Sequence, residues 1–292
     1  MFGGSGGGGG SASDMFGNMF GGGGGSGRGG SSGGGQRRPS PDLFPKNAPG
    51  SGVIPLGKAK FPDASSKYLW IIAFYLNSSD KCQAMKGDFV KFEAAAKGTF
   101  KIGAMNCDRS PADLEFCKKH GMDTRHLPRF GIVVSGKLSL YEANSETNTK
   151  QSSPSMKAIH QFALEKVPFD LVYMCNDPRW VKERLQDPAR IQKKLGSVLL
   201  LTDKYETSPK FASLAYQFRK HFIFGESRAK TLSMVKYYNV KKYPTLIVFI
   251  PQTGNTNELT EFRLENIRSQ DIGKWIDNII VSNTPKKTRT RR

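Results

Sequence analysis

The chain has 292 residues and a formal net charge of +19 at pH 7, which is room for two ordinary domains and a tail. No apolar run approaches the roughly 18–20 residues needed to cross a bilayer, so no helical membrane span is expected, and Met1 opens no charged-then-apolar secretory leader. The four cysteines (Cys82, Cys107, Cys117, Cys175) are irregularly spaced, which argues against a disulfide scaffold or a zinc site, and no metal or cofactor is expected.

Residues 1–60 form the first segment. Of the 32 glycines, 19 fall in the first 35 positions, and the segment has too few apolar side chains to offset the entropy of ordering. It is expected to be disordered. Its block Asp14-Met15-Phe16-Gly17-Asn18-Met19-Phe20 resembles the Gly/Phe-rich stretch that follows the J domain of DnaJ-type co-chaperones. No His-Pro-Asp tripeptide of a J domain occurs in the sequence. The resemblance therefore implies the C-terminal part of a longer J protein. Low complexity by itself equally describes a flexible linker.

The first domain is expected over 61–166. Leu69–Leu76 is almost continuously apolar, as in a strand covered on both faces. A helix over Cys82–Lys97 places Met85, Phe89, Phe92 and Ala96 on one side. Phe100–Cys107 returns as a strand. Ser110 can cap the next helix, with Pro111 at its first position, Asp113 in the first turn and Gly121 as its stop. Phe130–Val134 and Leu138–Tyr141 make a hairpin about Gly136. A helix opened by Pro154 turns Ile159, Phe162 and Ala163 inward.

The second domain, over 167–281, repeats this order. It runs through the strand Asp170–Met174, a helix from Pro178 carrying Trp180, Leu185, Ile191 and Leu195, and the strand Ser197–Thr202. After the loop Asp203–Ser208 comes a helix from Pro209 with Phe211, Leu214, Ala215 and Phe218 on one face. The strand Phe222–Gly225, the helix Ala229–Tyr238 and the strand after Tyr243-Pro244 lead to a turn at Thr253-Gly254-Asn255. The closing helix faces inward with Ile272, Trp275, Ile276 and Ile279. A basic tail, 282–292, ends in Lys286-Lys287-Thr288-Arg289-Thr290-Arg291-Arg292.

Strand, thiol-bearing loop, helix, strand ending in Cys107-Asp108, helix, and Leu127-Pro128 entering a strand together resemble a thioredoxin domain of the protein disulfide isomerase kind. Tyr243-Pro244-Thr245 gives the second domain the same signature. The resemblance implies an α/β class with two tandem thioredoxin-like domains after the Gly-rich segment. It also implies a cis-proline at Pro128 and Pro244, and, at Leu127, Pro128, Tyr243 and Pro244, a backbone able to pair with an extended peptide.

The departures matter more. The family's Cys-x-x-Cys falls on Ser79-Asp80-Lys81-Cys82, so the attacking sulfur is replaced by oxygen. A serine hydroxyl stays protonated near neutral pH, whereas exchange requires a thiolate. Ala73 stands where the family commonly has an acidic proton relay, and Ser78 where it usually has tryptophan. Cys82, at the resolving position, is open to three readings: a buried relic, a thiol that traps clients, or a redox sensor. Cys107 and Cys117 are expected as buried structural thiols. Asn77-Ser78-Ser79 matches a glycosylation sequon by chance placement. The four histidines pair with no nucleophile, and Asp203 and Glu206 read as surface turn residues.

These readings point to a non-enzymatic module that holds unfolded or misfolded polypeptides. A heat-shock ATPase would be a partner only if a J domain lies upstream. The resemblance implies the endoplasmic reticulum lumen; Met1 as the true start would imply the cytoplasm. One alternative is a weak thiol oxidoreductase or isomerase acting through Cys82. The other is a nucleic-acid-associated protein, against which weighs the lack of a concentrated basic face.

Overall fold

The computed structural model describes residues 42–142, 154–252, 255–265, 267 and 271–284. The Asp14–Phe20 block, the turn residues Thr253 and Gly254, and the basic run from Lys286 lie outside the described residues.

The first sheet holds β1 (Ile54–Leu56), β2 (Trp70–Tyr75), β3 (Lys101–Asn106), β4 (Arg129–Val134) and β5 (Lys137–Leu140), in the order β1-β3-β2-β4-β5. β3 pairs parallel with β1 and β2, and β4 runs antiparallel to β2 and β5. The helices are α1 (Asp80–Ala96), α2 (Pro111–Lys119) and α3 (Met156–Leu164). Successive strand residues point to opposite faces, and β2 shows it: Phe74 meets Phe61, which in turn packs on Phe116 of α2, while Tyr75 meets Phe44, which packs on Phe89 of α1. Ile71 to Tyr75 are all at most 1% exposed. The uninterrupted apolar run therefore does reflect cover on both faces. Ser135 and Gly136 both have positive φ, 50° and 78°, the mirror-image turn that a two-residue hairpin favours. A Cβ on Gly136 would also fall 2.6 Å from the Ala64 amide nitrogen.

The second sheet repeats the plan with β6 (Val172–Met174), β7 (Gly196–Leu201), β8 (Phe222–Ser227), β9 (Thr245–Gln252) and β10 (Asn255–Glu265), ordered β10-β9-β7-β8-β6. Between β6 and β7 lie α4 (Pro178–Val181), a π-turn over Lys182–Gln186 and α5 (Asp187–Ile191). Then come α6 (Pro209–Phe218), α7 (Leu232–Tyr237) and α8 (Ile272–Asn283). Two thioredoxin-like units thus follow one another. They share one continuous apolar cluster. The Tyr216 hydroxyl accepts from the Ser135 amide at 2.8 Å, and Arg219, stacked 3.7 Å from the Tyr216 ring, donates to the Ser66 carbonyl at 3.1 Å.

Three expectations need correction. The folded part begins before residue 61: Leu43, Phe44, Val53 and Leu56 are at most 5% exposed, and β1 completes the edge of the sheet. Few apolar residues among prolines and glycines hid this, although an edge strand tolerates a proline such as Pro55. Ile191 is not inward; it is 75% exposed. The π-turn shifts the helical periodicity beyond Leu185, and Pro188, which lacks an amide hydrogen, follows directly. β8 extends two residues past Gly225, through Glu226 and Ser227. Among the described residues no helix is long and apolar enough to cross a membrane.

Candidate functional site

The degenerate motif sits where β2 hands over to α1. Ser79 is extended (φ −89°, ψ 121°) and caps the helix, its Oγ accepting from the Cys82 amide at 3.4 Å. A helix N-terminus carries unsatisfied amides and partial positive charge, the feature that elsewhere lowers a thiol pKa. Here a hydroxyl takes that place. Asp80 and Lys81 are exposed on the first turn. Cys82 is 0% exposed, and its Sγ accepts a weak hydrogen bond from the Leu76 amide at 3.5 Å.

A segment missed in the sequence closes over this end of the sheet. The Leu43 amide donates to Asn77 Oδ1 at 3.0 Å, and Asn106 Nδ2 donates to Asp42 Oδ1 at 2.9 Å. Phe44 meets Tyr75 and Phe89 edge-on, with ring centroids 5.3 and 5.6 Å apart. Burial first, and then the Asp42 carboxylate, push the Tyr75 hydroxyl pKa above its ordinary value. Asp42–Phe44 is therefore a clasp that ties the loop at Asn77 to the end of β3.

Cys107 and Cys117 are joined as a disulfide, which corrects the expectation of separate thiols. The end of β3 and the last turns of α2 bring their Cα atoms to 5.9 Å, inside the bridging range. Spacing alone could not reveal that approach. The α2 start matches its reading: Ser110 Oγ accepts from the Asp113 amide at 3.2 Å, and Gly121 has φ +74°. Asp113 anchors more than a cap. Burial pushes its carboxyl up, but hydrogen bonds from the Lys58 amide, the Ser110 hydroxyl and the Arg109 guanidinium outweigh burial, and its pKa lies below the ordinary value.

Both expected proline bonds, Leu127–Pro128 and Tyr243–Pro244, are cis. Leu127 is 2% exposed, so its side chain belongs to the core. Pro128, also buried, borders a cavity of about 300 Å³ with Phe130, Tyr141 and Pro154. Asp123 beside it holds Arg125 at 2.8 Å and His126 at 3.1 Å. Tyr243 is half-buried, with the Lys230 ammonium 5.8 Å from its ring centroid.

The second unit's loop, Asp203–Ser208, carries no thiol. Ser208 caps α6, accepting from the Phe211 amide at 3.3 Å, and Tyr205 is 81% exposed. Beneath the loop lies Glu226, 0% exposed, bound through Oε1 to the Thr207 hydroxyl and the Arg228 guanidinium. Its Oε2 has no hydrogen-bond partner among the described residues. By register Glu226 opposes Leu200 as Met105 opposes Phe74, so a carboxylate replaces an apolar core residue. The expected strand end at Gly225 left it unnoticed. Cys175, the other free thiol, is fully buried, and burial pushes its pKa up to about 12 against the opposing pull of Arg184. Among the described residues no His, Cys, Asp and Glu cluster could hold a metal.

No family model matches the chain. It is similar to a candidate protein disulfide-isomerase of Dictyostelium discoideum, 27% identical over 214 residues, covering 70% of this chain and 48% of that protein. It is also similar to a protein disulfide-isomerase A6 homologue of Drosophila melanogaster, 22% identical over 275 residues, covering 82% and 58%. The chain thus spans about half the length of these curated relatives. Among solved structures, ERdj5 (form II) aligns with 80% of this chain and 30% of its own, at 14% identity and a TM-score of 0.44. Human ERp44 (form I) aligns with 80% and 57%, at 11% identity and a TM-score of 0.31. The chain has two thioredoxin-like units and is similar in sequence to proteins named as disulfide isomerases.

Proposed function

We propose that this chain binds unfolded or misfolded polypeptide without exchanging disulfides. The observation that carries the reading is Ser79: at the attacking position an oxygen caps α1, and its hydroxyl is already bonded to the Cys82 amide. Three further features support it. Cys82 is sealed from solvent, so its sulfur does not meet a client. The second unit's loop has no sulfur at all. The sequence likeness is to proteins named as disulfide isomerases, while the residues that such chemistry needs are missing here.

The endoplasmic reticulum lumen is the compartment consistent with that likeness. A place within a J-domain co-chaperone is supported by the Asp14–Phe20 block of the sequence. On this reading the heat-shock ATPase is a partner of the larger protein, and the two units present polypeptide to it. The test is suppression of aggregation. A chemically denatured client diluted into buffer with an equimolar amount of the purified chain should scatter markedly less light than with serum albumin. Equal scattering, together with no binding of unfolded polypeptide, would end the proposal.

A further inference from the structure

A cleft of about 1020 Å³ opens between the two units. One wall is the turn from α1 into β3; the other is built by α6 and the first half of α8. Lys97, Lys101, Lys210 and Lys274 all border it, and none of the four makes an ion pair among the described residues. Lys101 is partly engaged, 5.0 Å from the centroid of the Tyr68 ring. Three carboxylates also face the cleft. Asp271 is committed to capping α8, accepting from the Lys274 amide at 3.1 Å, and Glu93 lies against the bare backbone of Gly52. Four lysines thus face three carboxylates, which leaves the lining with a small excess of positive charge.

Two further observations point to an occupant. Ser213, on α6 between Lys210 and Gln217, borders the cleft; it is 8% exposed and its Oγ has no hydrogen-bond partner among the described residues. A buried hydroxyl left unpaired is costly, and a ligand donor or acceptor would satisfy it. The cleft also runs into a pocket of about 460 Å³ with which it shares Gly98, Lys210, Gln217, Asp271 and Gly273. That pocket is walled by the apolar side chains of Leu200, Phe211, Leu214, Ile267 and Ile272. Gly98, at φ +89°, keeps the passage narrow, since a Cβ there would sit 3.3 Å from Lys210 Cε.

We propose that this cleft is where polypeptide is held: an extended segment seats an apolar side chain in the pocket while flanking acidic side chains meet Lys97, Lys210 and Lys274. The inference deepens the polypeptide-binding reading and rests on it. A compact anion would answer the lysines but leave the apolar pocket empty. A segment combining both characters answers the cleft, the pocket and the Ser213 hydroxyl together.

The experiment uses the full chain and a fluorescein-labelled peptide of about twelve residues with a central Leu-Phe flanked by glutamates, an extended-peptide probe, followed by anisotropy. Replacing its glutamates by glutamines, or its Leu-Phe by Ser-Ser, should each weaken binding several-fold. The double variant Lys210→Glu/Lys274→Glu should weaken it about tenfold or more, as for charge reversal at an interface, and Ser213→Ala a few-fold. Should the double reversal not fold by circular dichroism, Lys210→Gln/Lys274→Gln replaces it, with a smaller expected loss. Absence of binding to the wild-type chain, undiminished binding by the lysine variants, or equal displacement by an oligonucleotide of the same charge would overturn the cleft assignment. The same variants in the aggregation assay separate the two ideas. Suppression by wild type and variants alike removes the cleft but spares polypeptide binding, whereas no suppression by wild type together with no binding of unfolded polypeptide removes that broader reading.

Discussion

The two units share one strand order, a serine-capped helix after the central strand and a cis-proline directly before a later strand, yet the ends of their sheets are filled by opposite chemistry. In the first, Cys82 is sealed inside an apolar environment and Asp42–Phe44 is fastened across the neighbouring loop. In the second, the loop before the helix has no thiol, and a buried carboxylate, Glu226, is held by Arg228 and Thr207 under an exposed Tyr205. The contrast shows that the architecture survives loss of the reactive pair. What the fold needs at this position is a satisfied helix N-terminus, and Ser79 and Ser208 supply it equally well.

Breaking the clasp of the first unit should have the largest effect. Phe44→Ala empties a site lined by Tyr75 and Phe89 and is expected to destabilise the chain by about 3–5 kcal/mol, read as a lower urea midpoint. If residues before 61 contributed nothing to the core, the midpoint would stay put. The second unit should respond to Arg228→Ala by about 3 kcal/mol, because the buried Glu226 side chain would lose its guanidinium partner. Glu226→Met, which copies the residue at position 105, should cost less than that or even stabilise. A greater loss from Glu226→Met than from Arg228→Ala would contradict the view of Glu226 as a carboxylate that depends on its partner.

The next effect depends on pH and separates the units, since Asp113 belongs to the first. Its carboxyl is held below its ordinary value of 3.8, so the folded state favours the carboxylate. That stabilisation is fully present above about pH 3.8 and fades as pH falls through the lower folded value. Asp113→Asn should cost about 1–3 kcal/mol at neutral pH and flatten the acid limb of the stability curve. An acid limb unchanged in slope would refute the network. The smallest change is at the caps: Ser79→Ala and Ser208→Ala should each cost about 1 kcal/mol, and a similar loss from both is what equates them.

How much of this was legible follows from which interactions are local. The α2 start was readable because Ser110, Pro111, Asp113 and Gly121 act within a dozen residues of one another, and the prolines at 128 and 244 carry their own backbone constraint. β2 announced itself by its apolar run. Leu43 and Phe44 gave no signal, because two apolar residues among prolines have no periodicity; their partners lie more than 30 positions away. The Cys107–Cys117 bridge and the Thr207–Glu226–Arg228 cluster likewise depend on which elements meet in space. Ile191 was misread because a π-turn breaks the 3.6-residue repeat on which the reading rested. Of the site, the missing sulfur was visible in the sequence, whereas the sealing of Cys82 required its packing.

The most direct test measures turnover of a protein disulfide substrate, such as insulin with a small-thiol reductant, by the purified chain alongside its Cys82→Ala variant. The account predicts rates for both that match the uncatalysed reaction. Acceleration by the unaltered chain that disappears in Cys82→Ala would contradict it.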